Sequence, residues 1–154
     1  MVAILEVKED TYLPAIRQLF QAYTEELAVD LAFQNFEDEL RNPFKKYGPP
    51  GGALFIALVE NIPAGCIALQ KINETTCEMK RLFVHPGYRH LRIGNELVKT
   101  LLAQSKKMGY EKMVLDTLDR LQPAIHLYWQ HGFVETTAYY HNPLPGVVYM
   151  EKVL

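Results

Sequence analysis

The order of patterned segments predicts a single mixed α/β (α+β) domain. It would hold one twisted, mostly antiparallel sheet of about six or seven strands with helices on both faces. Three observations carry that expectation. The chain has 154 residues, which suits one domain. Apolar residues make up 49% and charged residues 22%, an ordinary globular balance with material for one core. Strand patterns follow one another in the first half, whereas a strand–helix–strand crossover occupies the second. No repeat, low-complexity tract or Ser/Gly linker divides residues 1–154.

The first strand pattern is Val2 to Val7. Leu13, Ile16, Phe20, Tyr23 and Leu27 then recur at spacings of three and four, the stripe of an amphipathic helix. Thr11 is its candidate N-cap, which leaves Pro14 in the first turn, where a missing N–H costs nothing. A second helix covers Asn35 to Arg41 and stops before Asn42-Pro43, because the residue before a proline is pushed out of helical conformation. Tyr47 to Gly52 reads as a loop. Ala53 to Val59 and Ala64 to Ile72 read as a hairpin around Glu60-Asn61-Ile62-Pro63, and Thr76 to Val84 as a third consecutive strand. From Ile93 the pattern is helical again, with Lys106, Lys107 and Gly109 suited to its C-terminus. Lys112 to Asp116 is a strand and Pro123 to His131 a helix closed by Gly132. Phe133 to Ala138 and Val147 to Lys152 are the last strands.

The formal net charge is -2, and the basic residues are scattered. Without a basic stripe to neutralise phosphates, a nucleic-acid partner is not expected. The longest apolar stretch, Ala53 to Val59, is far too short to span a bilayer, and the N-terminus lacks the pattern of a signal peptide. The two cysteines, Cys66 and Cys77, form neither a disulfide framework nor a metal-ligand spacing. A cytoplasmic protein without a bound metal is the expectation. Aromatic character near the C-terminus is compatible with a homodimer.

Chemistry concentrates in the segment from Leu82 to Asn95. A strand runs into a basic turn, and the turn runs directly into a long helix. The first amides of that helix have no intrahelical partners, and the helix dipole is positive there, so a phosphate or pyrophosphate is its natural ligand. Gly94 removes a Cβ from the first helical turn, and Arg89 and Arg92 can add charge-assisted contacts.

Arg89-x-x-Arg92-x-Gly94, preceded by Val84-His85-Pro86, resembles the R/Q-x-x-G-x-G/A signature of the GNAT superfamily of N-acetyltransferases. Arg92 stands where that family usually has glycine. About forty residues on, Ala124-Ile125-His126-Leu127-Tyr128-Trp129-Gln130-His131-Gly132-Phe133 resembles the family's A-x-x-L-Y-x-x-x-G-F motif. Leu121 replaces an asparagine often found three residues before that alanine, so one cofactor contact is either missing or supplied by Gln122. The element order agrees with the same family.

The resemblance implies acetyl-CoA as acetyl donor and a primary amine of a small molecule, amino acid or protein as acceptor, in a ternary complex. It implies a pyrophosphate held by the turn Arg89, His90, Leu91, Arg92, Ile93, Gly94 and Asn95. The pantetheine arm would run along Leu82, Phe83 and Val84. Tyr128 matches the tyrosine that protonates the departing thiolate. A phenol titrates at about 10 and a thiol at about 8.5, which suits transfer between them. Glu78 is the candidate general base, and strict alternation places it on the same side as Lys80, Leu82 and Val84. The acceptor mouth would involve Phe33, Tyr139, Tyr140 and the loop to Gly146, with Glu25, Glu26, Glu37 and Asp38 to attract a cation. A CoA-binding sensor that kept the fold and lost the chemistry is the second reading.

Overall fold

The computed structural model describes residues 1–154. Strand β1 (Val2–Glu6) leads through a 3₁₀ turn at Asp10–Tyr12 into helix α1 (Leu13–Leu27). Thr11 therefore lies inside that turn and does not cap α1, whose N-cap is Tyr12. Pro14 does occupy the first helical turn. Helices α2 (Phe36–Arg41) and α3 (Phe44–Tyr47) follow. Tyr47, expected in a loop, instead ends α3 and is fully buried, in edge-to-face contact with Phe20 of α1.

Strands β2 (Ala53–Val59), β3 (Ile62–Lys71) and β4 (Thr76–Val84) form an antiparallel meander. The β2–β3 turn is shorter than its sequence suggests. Only Glu60 and Asn61 lie outside the strands, both at positive φ (47° and 66°), the geometry of a two-residue hairpin that matches strand twist. Helix α4 (Ile93–Lys107) crosses over to β5 (Lys112–Leu118), followed by α5 (Gln122–Gln130), β6 (Val134–Thr136) and β7 (Val147–Val153). The seven strands run in the order β1-β2-β3-β4-β5-β7-β6, and only β4 and β5 are parallel. The expected mixed sheet is present. Gly109, at φ +91°, follows α4 as its left-handed stop.

Both faces of the sheet are covered. Helix α4 packs Ile93, Leu97 and Leu101 against Cys77, Met79 and Val84, and Tyr128 and Phe133 extend the same layer. Helix α1 packs Ile16, Leu19 and Phe20 against Leu54, Ile56 and Phe83 on the other face. No helix is long and apolar enough to cross a membrane.

Two irregularities in β4 position the site. The first is a bulge. Cys66 pairs with Phe83 and Ala68 with Lys80, so one extra β4 residue is accommodated opposite Ile67. Arg81 adopts φ +60°, a left-handed conformation costing an L-residue about 1–2 kcal/mol. Just beyond the bulge, opposite Val84, a Cβ on Gly65 would lie 2.7 Å from the Phe83 carbonyl, so that close approach requires glycine. The bulge overturns the simple alternation read from sequence. Glu78 and Lys80 share a face with Arg81, whereas Leu82 and Val84 pack on the α4 side. The second irregularity is that β4 and β5 pair only from Thr76/Lys112 to Glu78/Val114. Beyond this point they part, while β5 stays paired with β7 through Leu118. The result is an open fork in mid-sheet.

Candidate active site

The fork opens onto two connected cavities. The larger, of about 540 Å³, lies between the ends of β4 and α5 and the start of α4. Leu82, Phe83, Val84, Arg89, Arg92, Gly94 and Asn95, all predicted from sequence, line it together with Tyr23 and Arg120. At its floor, Arg92 caps α4 in left-handed conformation (φ 58°) and no side chain caps the helix. The amides of Ile93, Gly94 and Asn95 have no backbone acceptor, and the first helical bond beyond them runs from Glu96 to Arg92 at 3.3 Å. This is an anion site with its donors free. The usual glycine at position 92 now has a physical reason, since the backbone there is left-handed, and Arg92 adopts it regardless.

Several residues take roles other than those expected. Ile93 is fully buried in the α4 layer, so only its backbone can face a ligand. His90 and Leu91 are exposed, and their side chains do not line the cleft. The Gln122 side chain turns back to donate to the Asp119 carbonyl and also lies outside the lining. Arg120, which no sequence motif marks, faces the cleft and donates to the Leu27 carbonyl. Arg89 is engaged within the chain. Its Nε donates to the Val84 carbonyl at 2.9 Å and its Nη2 to Glu26 at 2.7 Å. The Asn95 amide oxygen meets His131 Nε2 at 2.8 Å.

The smaller cavity, about 80 Å³, lies deeper in the fork. Leu82, Tyr128, Asp116, Lys80, Arg81 and Gln34 are among its lining residues. The Tyr128 ring packs at 5.9 Å from Phe133, and its hydroxyl makes no hydrogen bond within the chain. Burial raises this phenol well above its ordinary range, and Tyr23 and Asp116 nearby add to the effect.

Around that cavity stands a polar network. Arg81 donates to both Glu39 oxygens, from Nε at 2.7 Å and from Nη2 at 2.9 Å, with both side chains almost wholly buried. Burial alone would raise the Glu39 carboxyl, but Arg81 and Lys46 outweigh it and hold it below the ordinary range. Lys80 donates to Gln34 Oε1 at 3.1 Å and stands 3.8 Å from Glu78. Glu78 is 4% exposed and accepts the Tyr139 hydroxyl; burial raises its carboxyl against the opposing effects of Lys80 and Tyr139. It does not itself line the cavity. Asp116 does, and it accepts the Tyr140 hydroxyl and the Asn142 amide (2.8 Å) on one oxygen.

Tyr139 and Tyr140 thus hold carboxylates in place behind the wall, and the loop's own lining residues are Asn142 and Leu144. Phe33 is 37% exposed and lies outside the cavity. Of the acidic helix residues, Glu26 pairs with Arg89 and Asp38 with Arg41. None of the four lines the smaller cavity. Burial pushes the Cys77 thiol up to about 12, which disfavours a nucleophilic thiolate there. Neither cysteine is paired.

Comparison with known proteins agrees with this geometry. The profile of the GNAT acetyltransferase family matches residues 13–133. An uncharacterized N-acetyltransferase of Schizosaccharomyces pombe is 48% identical over 151 residues, covering 97% of this chain and 93% of that protein. Among solved structures, an acetyltransferase from Streptococcus agalactiae superposes with a TM-score of 0.83 at 25% identity, over 99% of this chain and 98% of the other. A GNAT family acetyltransferase from Elizabethkingia anophelis, with acetyl-CoA bound, shares the fold at a TM-score of 0.72 and 22% identity, over 99% and 98% of the two chains. The chain belongs to the GNAT acetyltransferase family and is an N-acetyltransferase.

Proposed function

We propose that, as a GNAT N-acetyltransferase, this chain passes the acetyl group of acetyl-CoA directly to a primary amine, with both substrates bound in the β4–β5 fork. The observation that carries this reading is the fork itself. It joins a cleft ending in free helix amides to a small polar pocket holding a tyrosine hydroxyl.

The residues present fit the donor. Three unpartnered amides at the start of α4 suit a pyrophosphate. A Cβ on Gly94 would sit only 3.5 Å from Leu127, narrowing the cleft at that point. The related Elizabethkingia protein carries acetyl-CoA, which supports the same donor here. When bound, the cofactor supplies an activated acetyl thioester.

The chain's own residues do the rest. From Leu82 to Val84 the edge of β4 that faces β5 lacks a strand partner, so its backbone can hold an extended arm and polarise a carbonyl. Tyr128 stays protonated at neutral pH and donates its hydroxyl proton to the leaving sulfur. The burial that raises the phenol would also destabilise a thiolate beside it, which favours protonation of the leaving sulfur. Glu78, raised by burial, takes the amine proton through water, because its carboxylate stands behind the pocket wall.

Thiol release from acetyl-CoA in the presence of an amine panel tests the reading. Tyr128→Phe is expected to lower kcat by about 10²–10³-fold while the acetyl-CoA Kd changes little. A Tyr128→Phe variant with full kcat would remove the acid role. Tight cofactor binding without turnover on any amine would instead leave a CoA-binding sensor.

A further inference from the structure

The smaller cavity contains charges that the transfer chemistry leaves unused. Lys80 is 7% exposed and lines the pocket. Of its three ammonium donors one is bound to Gln34, and the nearest carboxylate, Glu78, lies at 3.8 Å, outside hydrogen-bond reach. Beside it Arg81 spends Nε and Nη2 on Glu39 and Gln34, while Nη1 has no partner within the chain. Facing these cations, Asp116 offers one carboxylate oxygen that accepts nothing, because Tyr140 and Asn142 both bind the other. No cation pairs with Asp116. One small pocket therefore displays a partly buried anion with one free oxygen and a buried, incompletely satisfied cation.

Resting on the transferase reading above, we infer that the acceptor is a small α-amino acid, its amino group held by Asp116 and its carboxylate by Lys80 with Arg81. Buried charges demand partners of opposite sign. A zwitterion supplies both at once and brings no net charge into the fork. An amine lacking the carboxylate would satisfy Asp116 and leave Lys80 facing a second positive group. The cavity of about 80 Å³ corresponds to roughly two or three waters of liquid volume, so it suits a headgroup of a few heavy atoms. Leu31, Leu115, Leu118 and Leu144 complete its wall, which favours a short aliphatic side chain over a charged one.

The experiment compares kcat/KM for the twenty L-amino acids with that for their amides, for simple primary amines and for short peptides, alongside calorimetric binding of the preferred amino acid to the protein saturated with CoA. At least one amino acid is expected to exceed its amide by about 100-fold, since a site built for a polar group strongly rejects the analogue lacking it. Lys80→Met is expected to collapse that ratio towards one and to abolish the calorimetric signal. A merely structural role for Lys80 would lower both rates together and leave the ratio intact, which overturns the inference. Preference for amides, simple amines or peptide N-termini overturns it while the transferase reading stands. Cofactor binding with no turnover on any acceptor defeats both.

Discussion

The cofactor cleft and the acceptor pocket share Tyr23, Leu27, Leu82, Leu121 and Ala124, yet they are made in opposite ways. The cleft is largely backbone. Its anion site is the bare start of α4, and its arm-binding edge is a stretch of β4 without a strand neighbour. The pocket is almost entirely side chain, a network drawn from the turn before α2, α2 itself, β4, β5 and the loop before β7. Backbone recognition tolerates substitution so long as the main chain keeps its path. Side-chain recognition under burial does not, because each member satisfies another.

Substitutions at the two ends should separate these modes. The largest effect is expected at Glu39→Gln, which leaves Arg81 buried without its carboxylate. A loss of about 3–5 kcal/mol in unfolding free energy is expected, read by denaturant titration. Because the fold holds the Glu39 carboxyl below its ordinary range, its contribution is full above the unfolded pKa and fades as pH falls through the folded one. The cost of Glu39→Gln should therefore shrink in acid. The combination Glu39→Leu with Arg81→Met should recover much of the stability and none of the acceptor selectivity.

On the cleft side, Gly94→Val places methyl groups where the cleft is narrow. Weaker acetyl-CoA binding by about 10-fold or more is expected, with the melting temperature little changed, since a Cβ there meets only ordinary contacts. A smaller effect concerns pH. Glu78 must be ionised to take a proton, and burial raises its carboxyl. The acid limb of kcat/KM should therefore lie above the ordinary carboxylate value of about 4.3. Glu78→Gln should remove that limb; a limb that survives unmoved assigns the base elsewhere. The smallest effect is Arg92→Gly. Relieving the left-handed backbone should stabilise the fold by about 1 kcal/mol or less, while acetyl-CoA affinity falls modestly and loses some salt dependence.

The same contrast explains what the sequence could disclose. The cleft was legible because its parts are consecutive: a strand end, a basic turn and a helix start lie within Leu82 to Asn95. Only side-chain details failed there, such as Gln122 turning back to its own helix start while Arg120 faces the cleft. The pocket joins residues far apart in the chain, Gln34 and Lys80 at a separation of 46 and Asp116 and Asn142 at a separation of 26. No local pattern encodes such pairs. Asp116, a lone carboxylate in the apolar run Met113 to Leu118, was the one available signal. The β4 bulge was invisible for a different reason. Left-handed residues are normally flagged by Gly or Asn, and here the residue is arginine, held by Glu39 and Gln34.

That bulge divides the strand's inheritance into two independent texts. Before Arg81 the residues facing α1 and α2 border the small polar pocket; after it, the unpaired edge of the strand borders the larger cleft. If the pocket takes the acceptor as proposed, point substitutions at Lys80, Asp116 or Gln34 would redirect which amine is modified without rewriting how CoA is held. Loss of a single codon elsewhere in β4, away from the bulge, is another matter. The side-chain period of a strand is two, so that deletion would turn every residue on one side of it to the opposite face at once. For this lineage, new specificities are reachable by substitution, and the reading frame of one strand is what selection must keep.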